Sequence, residues 1–309
     1  NKVWPEKLLN VYFSVDRFIR TAEEYDDDYV TVLSRTEKRL IKLKLLCVDP
    51  AKRLASGFGR LACVACFSAT LQPQGYFRSM LGITDKKHWY QLPSPYPTQN
   101  LHVSVASYID TSYRARESSI EPIVKVIETI TSSKAGSYIV FFPSYKYLEM
   151  VSEAFTRKHP HKKVIIENRA MVDDQRKMFL ENFDGGEVCG FAVMSGGFSE
   201  GIDLKGGRLI GAIIIGVGLP GLGIERNLIR DHYDDKGFEF AYQYPGMIRV
   251  IQTAGRVIRS EKDEGVICLV DCRYRQTRYK KLLPEHWQLN YSESAEDMSI
   301  GLFNFWNQR

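Results

Sequence analysis

The sequence predicts an α/β protein: a central, mainly parallel β-sheet flanked by helices on both faces. Three observations carry this expectation. From Glu121 onward short apolar runs alternate with longer helix-like segments, the order that a parallel sheet with crossover helices requires. The short runs, Tyr138–Phe142 among them, are apolar throughout, as strands covered on both faces are. With 309 residues, 44% of them hydrophobic, the chain can bury a core of one large domain or two smaller ones.

The elements follow in order. The chain begins at Asn1, and its first 45 residues look helical, with Leu8, Leu9, Tyr12, Phe13 and Val15 followed by a solvated acidic run at Asp26–Asp28. This stretch reads as the end of something larger. Leu61–Phe67 reads as a buried strand leading into Ser68-Ala69-Thr70-Leu71. Cys63 and Cys66 have the spacing of a metal knuckle, but along a strand they point to opposite faces and no second pair follows, so zinc lacks its four ligands. Leu92–Pro97 holds three prolines in five residues, which excludes a helix or a central strand and marks a linker. Then come a helix at Glu121–Ser133, a strand at Tyr138–Phe142, a helix at Ser144–Lys158 and a strand at Val164–Ile166. A helix at Asp173–Phe183 precedes strands at Val188–Met194 and Leu209–Ile215. A helix at Phe238–Ile258, a strand at Val266–Val270 and a terminal helix within Tyr291–Arg309, capped at Ser294, complete the set. Ligands belong at the carboxyl ends of such strands.

Composition narrows the partners little. A formal charge of +5, with 37 acidic residues interspersed among the basic ones, permits an acidic partner without demanding one. Six cysteines without a regular framework, no signal-like start and no long apolar run point to a reducing compartment, no disulfides and no membrane.

Three stretches carry chemistry. After Phe142, Ser144 can cap the next helix and offer backbone N–H groups and a hydroxyl to an anion, while Tyr145 adds a flat surface; the alternative is a plain N-cap and a packed aromatic. Ser195 to Asp203 holds three glycines and two carboxylates in nine residues. Gly197 and its neighbours allow close backbone approach, and Glu200 and Asp203 can hold a ribose hydroxyl or orient arginines. In Gln252–Arg259 a helix would place Gln252, Arg256 and Arg259 on one side, with Gly255 clearing space beside Arg256. Two guanidiniums there suit phosphoryl transfer; the alternative is a surface helix paired with Glu261 and Asp263. Gly216-Val217-Gly218-Leu219-Pro220-Gly221 fits a dinucleotide fingerprint, but Pro220 lies inside the loop and the next strand is too distant, so it reads as a turn.

Ser68–Leu71, Phe141–Tyr145, Gly197–Asp203 and Gln252–Arg259 occur in that order over about 190 residues. The order resembles motifs III to VI of superfamily 2 DNA helicases, specifically the branch containing XPD and DinG. The last match extends through Leu269-Val270-Asp271-Cys272-Arg273-Tyr274, similar to the strand closing the second motor domain there. The resemblance implies a RecA-like motor domain working in a 5′ to 3′ DNA helicase. It implies Arg256 and Arg259 as arginine fingers toward ATP, with Gln252, Gly255, Glu200, Asp203 and Thr70 in nucleotide sensing and coupling. Ser144, Tyr145, Gly197 and Ser199 would touch a single-stranded backbone. Implied partners are single-stranded or forked DNA and the first motor domain of the same protein, which acts as a monomer in the bacterial cytoplasm and nucleoid.

The departures define the rest of the expectation. The sequence has no Gly-x-x-x-x-Gly-Lys loop and no Asp-Glu-x-His box, so ATP and Mg²⁺ would be bound mainly by the first motor domain, with this chain alone inactive. The four-cysteine iron–sulfur pattern of the branch is absent too, leaving a cluster to the remainder of the protein. Residues 1–71 would then be the end of an arch-like insert and the last strand of the first motor domain, and residues 72–309 the second motor domain. The alternative is a catalytically silent, helicase-like nucleic-acid-binding module.

Overall fold

The computed structural model describes residues 4–35, 40–84, 88–184, 186–198 and 208–307. It divides into two compact units, Asn1–Trp89 with Gly221–Tyr242, and Tyr90–Pro220 with Gln243–Arg309. The first opens with α1 (Glu6–Glu23) and then a hairpin of β1 (Tyr29–Arg35) and β2 (Ile41–Cys47), antiparallel with Tyr29 opposite Cys47 and Arg35 opposite Ile41. The helical expectation for the first 45 residues therefore ends at Glu23. Val30, Thr31 and Val32 are β-branched, and Ile41-Lys42-Leu43-Lys44-Leu45 alternates with period two, so this stretch favours paired strands. After α2 (Ala51–Phe58) comes α3 (Gln74–Met80).

The acidic run is not merely solvated: the Arg53 guanidinium bonds Asp26 Oδ1 at 2.7 Å and Asp28 Oδ2 at 3.3 Å, and lies over the Tyr29 ring at 4.3 Å. Hydrogen bonds from Arg53 and then Lys52 hold Asp26 well below the usual carboxylate range. Leu61–Phe67 is not a buried strand either, and Phe67 is 92% exposed. An inner strand needs ladder partners on both edges. The strands described for this unit, β1 and β2, pair with each other.

The second unit runs β3 (Leu101–Ala106), α4 (Arg116–Ser133), β4 (Tyr138–Phe142), α5 (Tyr145–Lys158), β5 (Val164–Ile166), α6 (Asp173–Glu181), β6 (Cys189–Val193) and β7 (Gly211–Ile215). The chain next contributes α7 (Ile224–His232) to the first unit. It returns with α8 (Tyr244–Ala254), β8 (Gly265–Val270), α9 (Thr277–Lys280), β9 (Leu289–Ser292) and α10 (Ala295–Asn307). The seven strands stand in the order β5-β6-β4-β7-β8-β3-β9, every pair parallel.

Alternation along the strands feeds two cores. In β4, Ile139 and Phe141 join one apolar cluster, and Tyr138, Val140 and Phe142 the other. Phe179 of α6 with Met247, Val250 and Ala254 of α8 covers the first face; Ile123 and Ile127 of α4, Leu148 of α5 and Leu302 of α10 cover the second. Each fully buried Ile, Leu or Phe contributes about 1.5–3 kcal/mol, so the strands are fixed from both sides.

One titrating group sits beneath the terminal helix. The His102 ring packs 5.5 Å from Phe305, centroid to centroid, with Nε2 2.9 Å from Ser104 Oγ. Burial pushes its pKa below the ordinary 6.5. Its contribution is therefore complete above the unfolded-state value and is lost as pH falls through 6.5 toward the folded one, because the unfolded chain takes the proton first. The melting midpoint is expected to fall between pH 7.5 and pH 5, and the fall to be smaller in His102→Gln; circular dichroism melts at the two pH values check this.

Candidate functional site

The carboxyl ends of β4, β5 and β6 meet around one buried side chain. Just beyond β5, the Glu167 N–H bonds Phe191 O of β6 at 2.8 Å, which carries the ladder one residue further and commits the side chain to the strand ends. Glu167 is 4% exposed. Its Oε2 accepts the Val193 N–H at 2.7 Å; its Oε1 accepts the Gly197 N–H at 3.0 Å and the Tyr145 hydroxyl at 3.2 Å. A Cβ at Gly196 would stand 2.2 Å from Oε1, so the turn after β6 closes over the hydrogen-bonded carboxylate only with glycine there, while a Cβ at Gly197 would displace the end of the Arg176 side chain, 2.5 Å away at Nε. Phe198 anchors that turn from below, stacked on Phe179 at 4.2 Å.

Ser144 is the N-cap of α5, its Oγ accepting the Tyr147 N–H at 3.4 Å, with Arg116 Nη1 3.5 Å away. Tyr145 is half-buried; burial and then the neighbouring Glu167 raise its hydroxyl pKa, so it stays protonated as a donor. The Arg169 guanidinium lies over its ring at 5.2 Å. Three arginines, 116, 169 and 176, thus surround an aromatic face, a cap hydroxyl and a glycine turn, the chemistry that grips a phosphate backbone.

The turn after α8 differs from expectation. The helix predicted over Phe238–Ile258 is a π-helical turn, Glu239–Gln243, followed by α8, which stops at Ala254. Pro245 lacks the N–H that a continuous α-helix needs at that point. At the other end, the Gly255 N–H makes the last long-range helical bond, to Ile251 O at 2.9 Å. Arg256 and Val257 then tighten onto Thr253 and Ala254. Gln252 is the last exposed helical position, whereas Arg256 and Arg259 lie on the following turn, so the three do not stack along one helix face. A Cβ at Gly255 would meet only the Ile251 and Gln252 carbonyls, at 3.4 and 3.8 Å, among the described residues. The turn is anchored through its backbone. Asp263 Oδ2 accepts the N–H of Arg259 at 2.8 Å and of Ser260 at 2.7 Å, and the Tyr96 hydroxyl donates to Arg259 O at 3.2 Å. Asp263 thus holds the turn through its backbone.

The glycines after β7 serve packing. Gly216 and Gly218 have φ of 85° and 66°, and a Cβ at Gly218 would stand 2.4 Å from Gly246 O of α8. Beyond β8, Asp271 is 0% exposed and accepts from Arg273 Nε and Nη2, both at 2.7 Å, from the Arg273 N–H at 2.8 Å, and from the Thr111 hydroxyl. Burial opposes the Arg273 charge, but this bidentate bond outweighs it and raises the pKa further.

The structure therefore brings Ser144, Tyr145 and Gly197 together and sets Gln252, Gly255, Arg256 and Arg259 on one helix end. Thr70 belongs to the first unit, in a turn rather than at a strand end, with its N–H 3.2 Å from Ser68 Oγ. Ser199, Glu200 and Asp203 lie outside the described residues. Glu167 and Arg116, Arg169 and Arg176 were missed; a single carboxylate directly after the apolar Val164–Ile166 was the available signal. No group of three metal-ligating side chains occurs among the described residues, and none of the helices searched there is long and apolar enough to cross a membrane.

A family model described as the helicase C-terminal domain matches residues 127–290. A probable ATP-dependent helicase of Methanocaldococcus jannaschii is 26% identical over 285 residues, 83% of this chain and 42% of the relative. The ATP-dependent DNA helicase CHL1 of Scheffersomyces stipitis is 26% identical over 282 residues, 79% of this chain and 33% of the relative. The chain thus spans less than half the length of these curated relatives. A solved XPD helicase superimposes with a TM-score of 0.62 at 17% identity, covering 90% of this chain and 50% of that one, a likeness of fold: the parallel sheet with helices on both faces is RecA-like.

Proposed function

The chain belongs to the helicase C-terminal domain family, and from that premise we propose that it is the second motor domain of an ATP-dependent DNA helicase moving 5′ to 3′ along single-stranded DNA. The observation that carries the reading is the convergence of Ser144, Tyr145 and Gly197, with Arg116, Arg169 and Arg176 around them, at the strand ends where this architecture takes its ligands. Phosphate contacts of this kind fix position without reading sequence, as a translocating motor requires.

ATP supplies the free energy of hydrolysis. The turn bearing Arg256 and Arg259, held through its backbone by Asp263 and Tyr96, suits two guanidiniums to a γ-phosphate. Gln252 and Gly255 lie beside them, and Glu200, Asp203 and Thr70 take the coupling roles. Mg²⁺ and most of the nucleotide would be held by the first motor domain. Residues 1–71 are read as the end of an insert and of that first domain, and residues 72–309 as the second. A nucleoid-associated cytoplasmic location, action as a monomer, and any iron–sulfur cluster in the remainder of the protein are parts of the same proposal.

The test is ATP hydrolysis with and without single-stranded DNA, by this chain and by the protein carrying both motor domains. The chain alone should be silent, and the larger protein active and stimulated by DNA. A larger protein that binds DNA without hydrolysing ATP would favour the silent binding module.

A further inference from the structure

Glu167 has no role in any motif of the sequence, yet its side chain touches three of the strand-end segments at once. Through Tyr145 it reaches the start of α5; through Val193, the end of β6; through Gly197, the turn beyond it. All three partners are neutral donors. A buried carboxylate is costly to desolvate, and only such charge-assisted bonds offset the cost. The local sequence is shaped around this contact, because Gly196 has room for no Cβ while the carboxylate is present.

We propose that Glu167 is a positioning residue: it locks the Tyr145 ring and the 195–198 turn into one arrangement, so that a single-stranded nucleic-acid backbone meets both already ordered. This rests on the DNA-track reading above. The physical effect is preorganisation. A tyrosine and a glycine turn left separate would each lose freedom when DNA binds, and the shared carboxylate has already taken that freedom away. Phe198 on Phe179 fixes the far end of the turn, so the carboxylate sets its near end. Glu167 itself, 4% exposed, acts through Tyr145 and Gly197.

The experiment uses the protein with both motor domains and an oligothymidylate probe. Glu167→Gln preserves size, but its amide presents an oxygen on one side only. Either the Val193 N–H or the Gly197 and Tyr145 donors then face an NH₂ group. The DNA concentration for half-maximal ATPase stimulation should rise about tenfold, the loss expected for a charge-assisted bond, while the rate at saturating DNA stays near that of the unsubstituted protein and the melting midpoint falls by only a few degrees, the cost of the unpaired donor. Gly196→Ala should do the same without altering a charge, by pushing the turn off the carboxylate, and it carries the test if Glu167→Gln fails to fold. Tyr145→Phe should weaken DNA binding less in the Glu167→Gln background than alone. Variants that bind oligothymidylate as the unsubstituted protein does overturn the inference and leave the DNA track standing. A loss of saturated rate and melting midpoint together, with no selective change in DNA dependence, also overturns it. If the unsubstituted protein does not bind the probe, the track reading and the inference fall together.

Discussion

Arg259→Ala is expected to lower DNA-stimulated ATP hydrolysis by about 10³- to 10⁵-fold in the protein carrying both motor domains, with single-stranded DNA binding intact. The magnitude is that of removing a guanidinium from the charge that develops on a transferring phosphoryl group. The backbone anchors of the turn survive the substitution. The turn is held by the N–H of Arg259 and Ser260 on Asp263 and by Tyr96 on the Arg259 carbonyl, and alanine retains every one of those atoms. Arg259→Lys should remain severely impaired, since an ammonium keeps the charge but not the planar fork. Arg256, half-buried one turn earlier, should behave similarly, with some added loss of stability. Steady-state ATPase alongside fluorescence-anisotropy DNA binding measures both quantities. An Arg259→Ala protein hydrolysing ATP at the unsubstituted rate would remove this turn from the catalytic reading.

The largest loss of stability is expected from Asp271→Ala. Its carboxylate, fully buried, serves the Arg273 backbone and guanidinium and the Thr111 hydroxyl together. Removing it leaves a half-buried cation and a buried hydroxyl without their acceptor, which costs about 3–5 kcal/mol. For a unit of this size that is a fall in melting midpoint of roughly 6–20 °C. Asp271→Asn should fall between, because the amide keeps one acceptor oxygen. Scanning calorimetry of the three proteins would show it, and an Asp271→Ala midpoint within about 2 °C of the unsubstituted one would mean the pair contributes little.

What was legible in the sequence was what local chemistry decides. Tyr138–Phe142 and Val164–Ile166 fold as the strands read from their apolar runs, and Ser144 caps α5. Ser294 accepts the Asp297 N–H at 3.1 Å beside the start of α10. The misses are decided by distant partners. β3 carries His102 and Ser104 among its apolar residues and becomes a strand by pairing with β8 and β9, far along the chain. Leu61–Phe67 has the apolarity of a strand but no neighbour to pair with among the described residues. In the site, Ser144, Tyr145 and Gly197 were readable because each sits at a strand end with a distinctive residue type. Glu167 was not, because its importance lies in three donors supplied by segments up to 30 residues away. The arginine turn was found, but its geometry was misread, since a 3.6-residue period says nothing about where Gly255 and Pro245 interrupt it.

The strand order also sets a timetable for synthesis. β3 is the first strand of the large sheet to leave the ribosome, yet both its neighbours, β8 and β9, come last, with Leu101 opposite Gly265. Strands β4 to β7 can assemble among themselves while an apolar segment already made waits with both edges open. That segment stays open to misassociation until residues 265–292 emerge and close the sheet around it.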